Sequence, residues 1–326
     1  MTNNIQFSSV CGIDIAKSVM QVYKVTSDGV VSNKAVKRAD FLNEFRNIPA
    51  SLIGMEACGG SQHWARELQS LGHTVRLMPP KLVKPYVTGL KNDKNDARGI
   101  YTALVMGVRE VPVKSAAIRD LALLQTMRTK RQREKVAKIN HIRGILTEYG
   151  LVMGKSVNAF LAKAASLIVE LKERVDVSPV IVSELIALFQ EVKEAIAKIK
   201  ELETNIESIA KTLKQYELFQ SAPGVGSITA ATMLVLLCNP AVFKNGREFA
   251  AYIGLAPQST GSGGKNIVTH IPKKYECNNE VRALLVQCAH SICRCRHKSD
   301  WVSLILARKP KKVAIIAVAN KLARQL

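Results

Sequence analysis

Short apolar blocks and helical repeats alternate along the first 80 residues of the chain. The blocks VCGIDIAKSVMQVYKV (10–25), VVSNKAV (30–36), SLIGMEAC (51–58) and HTVRLMPP (73–80) are bounded by turn residues, which predicts β-strands. The segments ADFLNEFRNI (39–48) and SQHWARELQSLG (61–72) carry apolar residues at helical spacing. Strands that alternate with helices predict an α/β layered domain.

The middle of the chain has a helical pattern in two long segments. A very basic one extends from about Ser115 to Tyr149, and the other covers about residues 180–215. In the second segment apolar residues recur at steps of three and four, which is typical of a coiled coil that pairs protomers. An ordinary packed helix is the alternative. The repeating positions are Leu185, Leu188, Val192, Ile196, Ile199, Leu202, Ile206 and Ile209.

After Gln215 a third region begins, with a glycine-bearing turn that leads into an apolar helix (221–237) and a basic cluster followed by a helix (308–326). The turn PGVGS (223–227) resembles the hairpin of helix-hairpin-helix modules, and a plain packing joint is the alternative. We therefore predict three domains: an α/β domain over 1–114, a basic helical and coiled-coil-like region over 115–215, and a mainly α domain over 216–326.

Charge narrows the classes of function. Lys and Arg number 47 and Asp and Glu 26, a net charge of +21, which favours a polyanionic partner, nucleic acid first and an anionic membrane surface second. No apolar run reaches the roughly 20 residues of a spanning helix, and the start MTNNIQFSSVCGID lacks the pattern of a secretion signal. The seven cysteines form no CxxC pair, which argues against a zinc site, and their odd number argues against a disulfide framework. We expect free thiols in a cytoplasmic protein.

Four acidic residues suggest a metal site. Asp14 stands between two isoleucines in an apolar strand, and Glu56 lies in the apolar strand LIGMEAC. Burial of an uncompensated charge is costly, and a metal ion compensates it. Asp93 and Asp96, three apart near a helix start, point to one side. Together the four acids would hold two divalent ions, magnesium by preference, for attack at a phosphodiester. The alternatives are a strand-edge position for Asp14 and a helix N-cap for the aspartate pair.

Seven segments, in order along nearly the whole chain, resemble the DEDD-type insertion-sequence transposases, the family of the pilin-gene invertase and the bridge-RNA-guided recombinases. They are GIDIAK (12–17), MEACGG (55–60), KNDKNDARGI (91–100), INHIRGILTEYGL (139–151), SAPGVGSITAATML (221–234), AAYIGLAPQSTGSGGK (250–265) and KKVAIIAVANKLAR (311–324). The resemblance implies an RNase H-like, RuvC-like α/β domain at the N-terminus. It also implies that the family's catalytic acids are Asp14, Glu56, Asp93 and Asp96, with Mg²⁺ or Mn²⁺ as cofactor.

The family also uses a serine in a loop of its C-terminal domain. The matching residue here is Ser262, which precedes a Gly-Gly-Lys sequence, and Ser259 and Thr260 are alternatives. The resemblance implies that this hydroxyl, activated near the metal ions, attacks DNA and forms a phosphoserine link. Lys265 would hold a phosphate oxygen. A flexible surface linker is the other interpretation of STGSGGK.

The basic residues give candidate contacts to phosphates, although a solvated helix face is the alternative. They are Arg128, Lys130, Arg131 and Arg133 in the basic helix, then Lys273 and Lys274, and finally Lys309, Lys311 and Lys312. The resemblance implies DNA, a structured guide RNA of the bridge type, and a dimer or tetramer that shares active sites between protomers.

We therefore predict a transposase or site-specific DNA recombinase, acting at the bacterial nucleoid and without a membrane partner. A RuvC-like junction nuclease and a non-catalytic nucleic-acid-binding protein are the alternatives.

Overall fold

The computed structural model describes residues 7–262, 265–268, 270–273 and 277–326, with the backbone alone for residues 260, 262 and 265–268. The chain divides into two compact units. The first contains the chain up to Ser115 together with Cys238–Lys244, and the second contains Ala116–Leu237 and Asn245–Leu326. In the described ranges no helix has both the length and the apolar composition needed to cross a bilayer. All seven cysteines are free thiols, as predicted.

The first unit is a mixed five-stranded sheet with helices. Its elements are β1 (Ser9–Ile15), β2 (Val19–Thr26), β3 (Val31–Lys37), α1 (Asn43–Arg46), β4 (Leu52–Glu56), α2 (Ser61–Ser70), β5 (Thr74–Met78), α3 (Pro80–Val83) and α4 (Asp93–Val105). The strand order is β3-β2-β1-β4-β5. The first three strands pair antiparallel, whereas β1, β4 and β5 run parallel. The predicted α/β layer structure is confirmed, although the helix predicted over 39–48 is only one turn long.

The sheet is covered on both faces. On one face Ile13 and Met55 are fully buried in a core with Phe41, Trp64 and Leu68. On the other face α4 lies directly on β1, since a Cβ at Gly12 would come within 2.4 Å of the Ala97 carbonyl oxygen and the Tyr101 amide nitrogen. A glycine is therefore required where the helix backbone meets the strand. This close approach brings the first turn of α4 toward the end of β1.

The second unit is mostly helical. Its elements are α5 (Ala116–Glu148), α6 (Val157–Glu173), α7 (Pro179–Lys211), α8 (Tyr216–Gln220), α9 (Ser227–Leu236), α10 (Gly246–Tyr252), β6 (Ser259–Ser262), β7 (Lys265–Val268), α11 (Asn279–Arg294), α12 (Asp300–Arg308) and α13 (Lys311–Gln325). Two short 3-10 turns, Lys84–Tyr86 and Pro240–Val242, both belong to the first unit.

The apolar stripe of α7 is buried inside the chain. Arg128 of α5 bonds Glu203 of α7, and Lys138 bonds Glu191, so the two helices run antiparallel. The first half of the stripe, from Leu185 to Ile196, packs with residues of α5 and α6 in one core that contains Ile142, and Ile199, Leu202 and Ile206 are also buried. The structure therefore favours the ordinary packed helix over a coiled coil that leaves this face for a second protomer.

The turn between α8 and α9 is a tightly packed joint. Gly224 has φ 74°, and a Cβ there would lie 2.9 Å from the Cys288 carbonyl oxygen and 2.8 Å from the Ile292 side chain in α11. Val225 is buried beside it. These contacts favour the packing joint over an open hairpin for phosphate, because the turn faces α11.

Candidate active site

Asp14 and Glu56 lie on neighbouring parallel strands, on the face of the sheet that α4 covers. Gly12 of β1 pairs with Gly54 of β4, and each acid stands two residues beyond its glycine. Because side chains alternate faces along a strand, both carboxylates project from the glycine face. Ile13 points into the opposite core, as the alternation predicted.

Asp93 and Asp96 lie in the first turn of α4. The N-cap of this helix is Asn92, whose side-chain oxygen accepts a hydrogen bond from the Asn95 amide at 2.9 Å. The Asn95 side chain in turn donates to the Leu90 carbonyl at 2.7 Å and fixes the preceding loop. Asn92 therefore takes the N-cap role that the alternative gave to the aspartate pair, whereas both aspartates lie in the first turn, where the positive end of the helix dipole favours a carboxylate.

The fold brings three of the four predicted acids into one cluster. Asp14, Asp93 and Asp96 each offer a carboxylate oxygen, and these oxygens lie within 4.8 Å of one another. Glu56 is outside this compact group but is close enough for Asp14 and Asp96 to raise its pKa. The arrangement supplies oxygen ligands from a strand and from a helix start at one point.

The electrostatics of the cluster are unfavourable without a cation. Burial chiefly, and then the charges of Asp96 and Asp93, raise the pKa of the Asp14 carboxyl above its usual value. Burial is also the main cause of the raised pKa of Glu56. In the described part of the chain none of the four carboxylates forms a salt bridge with Lys or Arg. Clustered carboxylate oxygens without a protein cation are the ligand set that Mg²⁺ or Mn²⁺ prefers.

Two polar residues beside the acids were missed by the sequence analysis. Gln21 of β2 is the register partner of Asp14, and Asn33 of β3 donates a hydrogen bond to the Lys94 carbonyl at the start of α4. Gln21 lies within the strand VMQVYKVT (19–26) and is buried. A buried amide in such a strand requires a partner, and this was the available signal.

Ser262 is the last residue of β6, in a two-stranded antiparallel ribbon where its backbone pairs with that of Lys265. The segment is thus a β-ribbon in its described backbone and not a linker. The side chains of Ser262, Lys265 and Thr260 lie outside what the structure describes, and Ser259 is exposed. Ser262 belongs to the second unit, whereas the acids belong to the first.

The predicted phosphate contacts of α5 are largely engaged within the protein. Arg128 bonds Glu203 at 2.6 Å and is only 20% exposed, Arg133 pairs with Glu280, and Lys130 is 3.9 Å from Glu134. Arg131 is exposed. Of the three paired residues, only Arg128 is largely withdrawn from solvent, because Lys130 and Arg133 stay 79% and 72% exposed. Of the other candidates, Lys273 is exposed and Lys274 lies outside the described residues.

A second concentration of positive charge lies around the ends of α11, α12 and α13, in residues 294–312, which we call the 294–312 surface. It holds seven Lys and Arg residues and one acid, Asp300. Burial raises the pKa of the Cys293 thiol, and both Lys298 and Lys311 lie close enough to oppose this shift, so the α11–α12 loop and the start of α13 converge there. Arg308, Lys309, Lys311 and Lys312 are exposed and form no ion pair with the described acids.

Comparison with known proteins gives two matching family models and several similar proteins. A DEDD-type IS110 transposase model matches residues 11–151, and a model described as "Transposase IS116/IS110/IS902 family" matches residues 216–303. The "Probable family 20 transposase" of Pseudomonas aeruginosa is 36% identical over 323 residues, 97% of this chain and 94% of that protein. The transposase for insertion sequence element IS1111A of Coxiella burnetii is 32% identical over 319 residues, 96% of this chain and 86% of that protein.

Proposed function

Because the chain belongs to the DEDD-type IS110 family of insertion-sequence transposases, which cut and rejoin DNA, we propose that it does so by metal-assisted serine attack on a phosphodiester. The observation that carries the proposal is the cluster of Asp14, Asp93 and Asp96, with oxygens within 4.8 Å of one another. In this proposal the three aspartates and the nearby Glu56 hold divalent cations, and Ser262 is the nucleophile.

The carboxylates fit this role because their mutual repulsion is not relieved by a lysine or arginine in the described structure. A bound Mg²⁺ or Mn²⁺ would polarise the scissile phosphate and assist loss of the serine proton. Asp14 and Glu56 stand on a rigid sheet, whereas Asp93 and Asp96 stand on a helix turn, so two separate elements determine the spacing of the oxygens.

We propose that the first unit is an RNase H-like, RuvC-like domain. Its support is the order of the acids: one on the first strand, one on the next parallel strand and a pair at the start of a helix. The domain boundaries 1–114, 115–215 and 216–326 stay part of the proposal. The assignment of Ser262 is supported by its place in the segment that matches the family model for residues 216–303.

The proposed partners are DNA and a structured guide RNA, bound by a homo-oligomer, a dimer or tetramer, at the bacterial nucleoid. The net charge of +21 supports a polyanionic partner. On the structure, the 294–312 surface is better suited to phosphates than α5 is, because Arg308, Lys309, Lys311 and Lys312 are exposed without described acid partners.

Strand exchange tests the proposed function directly. The full chain, expressed beside its native flanking DNA and purified with its bound RNA, is given donor and target DNA. We expect recombinant junctions with Mg²⁺ or Mn²⁺, none after chelation with EDTA, and none after ribonuclease treatment. Strand exchange that persists in EDTA would show that the reaction needs no metal ion. Strand exchange that persists after ribonuclease treatment would show that it needs no guide RNA.

Neutralising the 294–312 surface is expected to weaken nucleic-acid binding. The triple change Lys309→Gln, Lys311→Gln and Lys312→Gln removes up to three phosphate contacts, which lowers the slope of log affinity against log salt by about 2.7 for duplex DNA. Fluorescence anisotropy with a labelled DNA duplex, and with a labelled RNA duplex, measures the change. The matched control neutralises Lys172, Lys193 and Lys200, which are exposed on α6 and α7. An equal loss in the control would show that only net charge matters.

A further inference from the structure

Two side-chain amides connect the sheet to the start of α4. The Gln21 amide nitrogen donates to the Asn33 side-chain oxygen at 2.7 Å, and the Asn33 amide nitrogen donates to the Lys94 carbonyl at 3.1 Å. Gln21 is only 6% exposed, and Asn33 is partly buried. We call this series of hydrogen bonds the amide relay. It joins the β2–β3 hairpin to α4, which lies 61 residues further along the chain at the Asn33–Lys94 hydrogen bond.

The relay begins and ends at the acidic cluster. Gln21 is the register partner of Asp14 across β1 and β2, so the two side chains are neighbours on one face of the sheet. Lys94, at the other end, stands between Asp93 and Asp96 in the chain. The relay thus connects Gln21, the neighbour of Asp14, to the first turn of α4, which carries the other two aspartates.

The donor and the acceptor of each hydrogen bond in the relay follow from the groups involved. A backbone carbonyl only accepts hydrogen bonds, so Asn33 must offer its NH₂ group to Lys94 and its oxygen to Gln21. Gln21 must then donate. A residue at position 33 therefore needs both a donor and an acceptor, which an amide provides and an aliphatic side chain does not.

The first turn of α4 needs such a connection. Its two aspartates repel each other and Asp14, and the loop before it carries Leu90 with 84% of its surface exposed. Asn92 and Asn95 order this turn only with respect to its own loop. Among the side-chain hydrogen bonds described here, that of Asn33 joins this turn to the sheet.

We infer that Gln21 and Asn33 are positioning residues, which hold the helix-borne Asp93 and Asp96 at the correct distance from Asp14 for a divalent cation. This inference rests on the proposed metal-dependent function. Neither Gln21 nor Asn33 is among the carboxylates that would hold the cation. The contribution of the relay is therefore to metal affinity, because groups that orient the ligands typically change metal affinity or activity about 10- to 100-fold.

Mn²⁺ binding to the full chain tests the relay. Asn33→Leu removes both hydrogen bonds at similar volume, and we expect the dissociation constant for Mn²⁺, measured by calorimetry, to rise about tenfold. The Mg²⁺ concentration for half-maximal strand exchange rises by a similar factor, and excess Mg²⁺ restores most of the rate. Gln21→Met removes only the hydrogen bond to Asn33, and it should raise the Mn²⁺ dissociation constant and the half-maximal Mg²⁺ concentration by a smaller factor. It also serves as the test if Asn33→Leu fails to fold.

The control is Thr26→Val, which removes side-chain hydrogen bonds to Asp28 and Val30 in the same hairpin, away from α4. It is expected to lower the thermal unfolding midpoint without changing Mn²⁺ affinity. Unchanged Mn²⁺ affinity in folded Asn33→Leu and Gln21→Met would overturn the positioning role and leave the relay purely structural. Failure of the wild-type chain to bind Mn²⁺ would instead overturn the proposed metal function itself.

Discussion

The Asp14→Asn variant is expected to lose strand exchange by roughly a thousandfold or more while it keeps its fold. A divalent cation contributes several kcal/mol of transition-state stabilisation, and each 1.4 kcal/mol or so corresponds to about tenfold in rate. Asparagine has nearly the same shape, but its neutral oxygen is a much weaker ligand. Quantitative amplification of recombinant junctions over time measures the loss.

The thermal stability of Asp14→Asn without metal is a second, independent prediction. Burial and the charges of Asp96 and Asp93 raise the pKa of Asp14 in the folded protein. A carboxyl with a raised folded-state pKa stabilises the fold at low pH and loses this contribution as the pH rises through that pKa. At neutral pH the charged Asp14 therefore destabilises the metal-free fold. The unfolding midpoint of Asp14→Asn in EDTA should equal or exceed that of the wild type.

Addition of Mn²⁺ should then change the thermal stability of the wild type and of Asp14→Asn by different amounts. Wild type should gain thermal stability, because a cation that binds only the folded state shifts the equilibrium toward it. Asp14→Asn should gain little. Asp40→Asn changes an exposed aspartate of the same unit outside the cluster and should behave as wild type. A normal exchange rate in Asp14→Asn would contradict the metal site and favour a nucleic-acid-binding role for the acids' unit.

Much of this site could be predicted from local sequence patterns. Alternation along a strand placed Asp14 and Ile13 on opposite faces, and the three-residue step placed Asp93 and Asp96 on one side of a helix turn. Such patterns report which face a residue occupies. They do not report which face of another element it meets, and the contact of α4 with Gly12 supplies that information.

The remaining features depend on pairings between distant segments. Asn33 looks like an ordinary polar residue of an outer strand until α4 brings the Lys94 carbonyl to it. Arg128 looks like a phosphate contact until α7 returns antiparallel and presents Glu203. Charge patterns along a helix give no indication of which acids will fold against it, so the pairing of Arg128 with Glu203 could not be predicted from the basic helix alone.

Ser262→Ala is expected to abolish both strand exchange and the covalent protein–DNA adduct, since it removes the proposed nucleophile. In the proposed step the Ser262 Oγ–P bond forms as the P–O bond to the leaving deoxyribose oxygen breaks; the serine hydroxyl gives up its proton to water, and the leaving oxygen takes up a proton from water to become a hydroxyl. Loss of a nucleophile in other enzymes costs roughly a millionfold in kcat, so recombinants should fall below detection. Labelled DNA that migrates with the protein in a denaturing gel measures the adduct.

Neighbouring hydroxyls provide the matched controls. Ser259→Ala and Thr260→Val change the same ribbon strand and should retain the adduct. If one of them loses the adduct while Ser262→Ala retains it, the residue changed in that variant is the nucleophile instead of Ser262. A RuvC-like junction nuclease gives a different result, because an activated water replaces the serine: Ser262→Ala would still cut DNA and the wild type would form no adduct.

Mixing the Ser262→Ala and Asp14→Asn variants tests whether the acids of one protomer act together with the serine hydroxyl of another. Restored exchange in the mixture requires such sharing, since each inactive chain contributes only the group that its partner lacks.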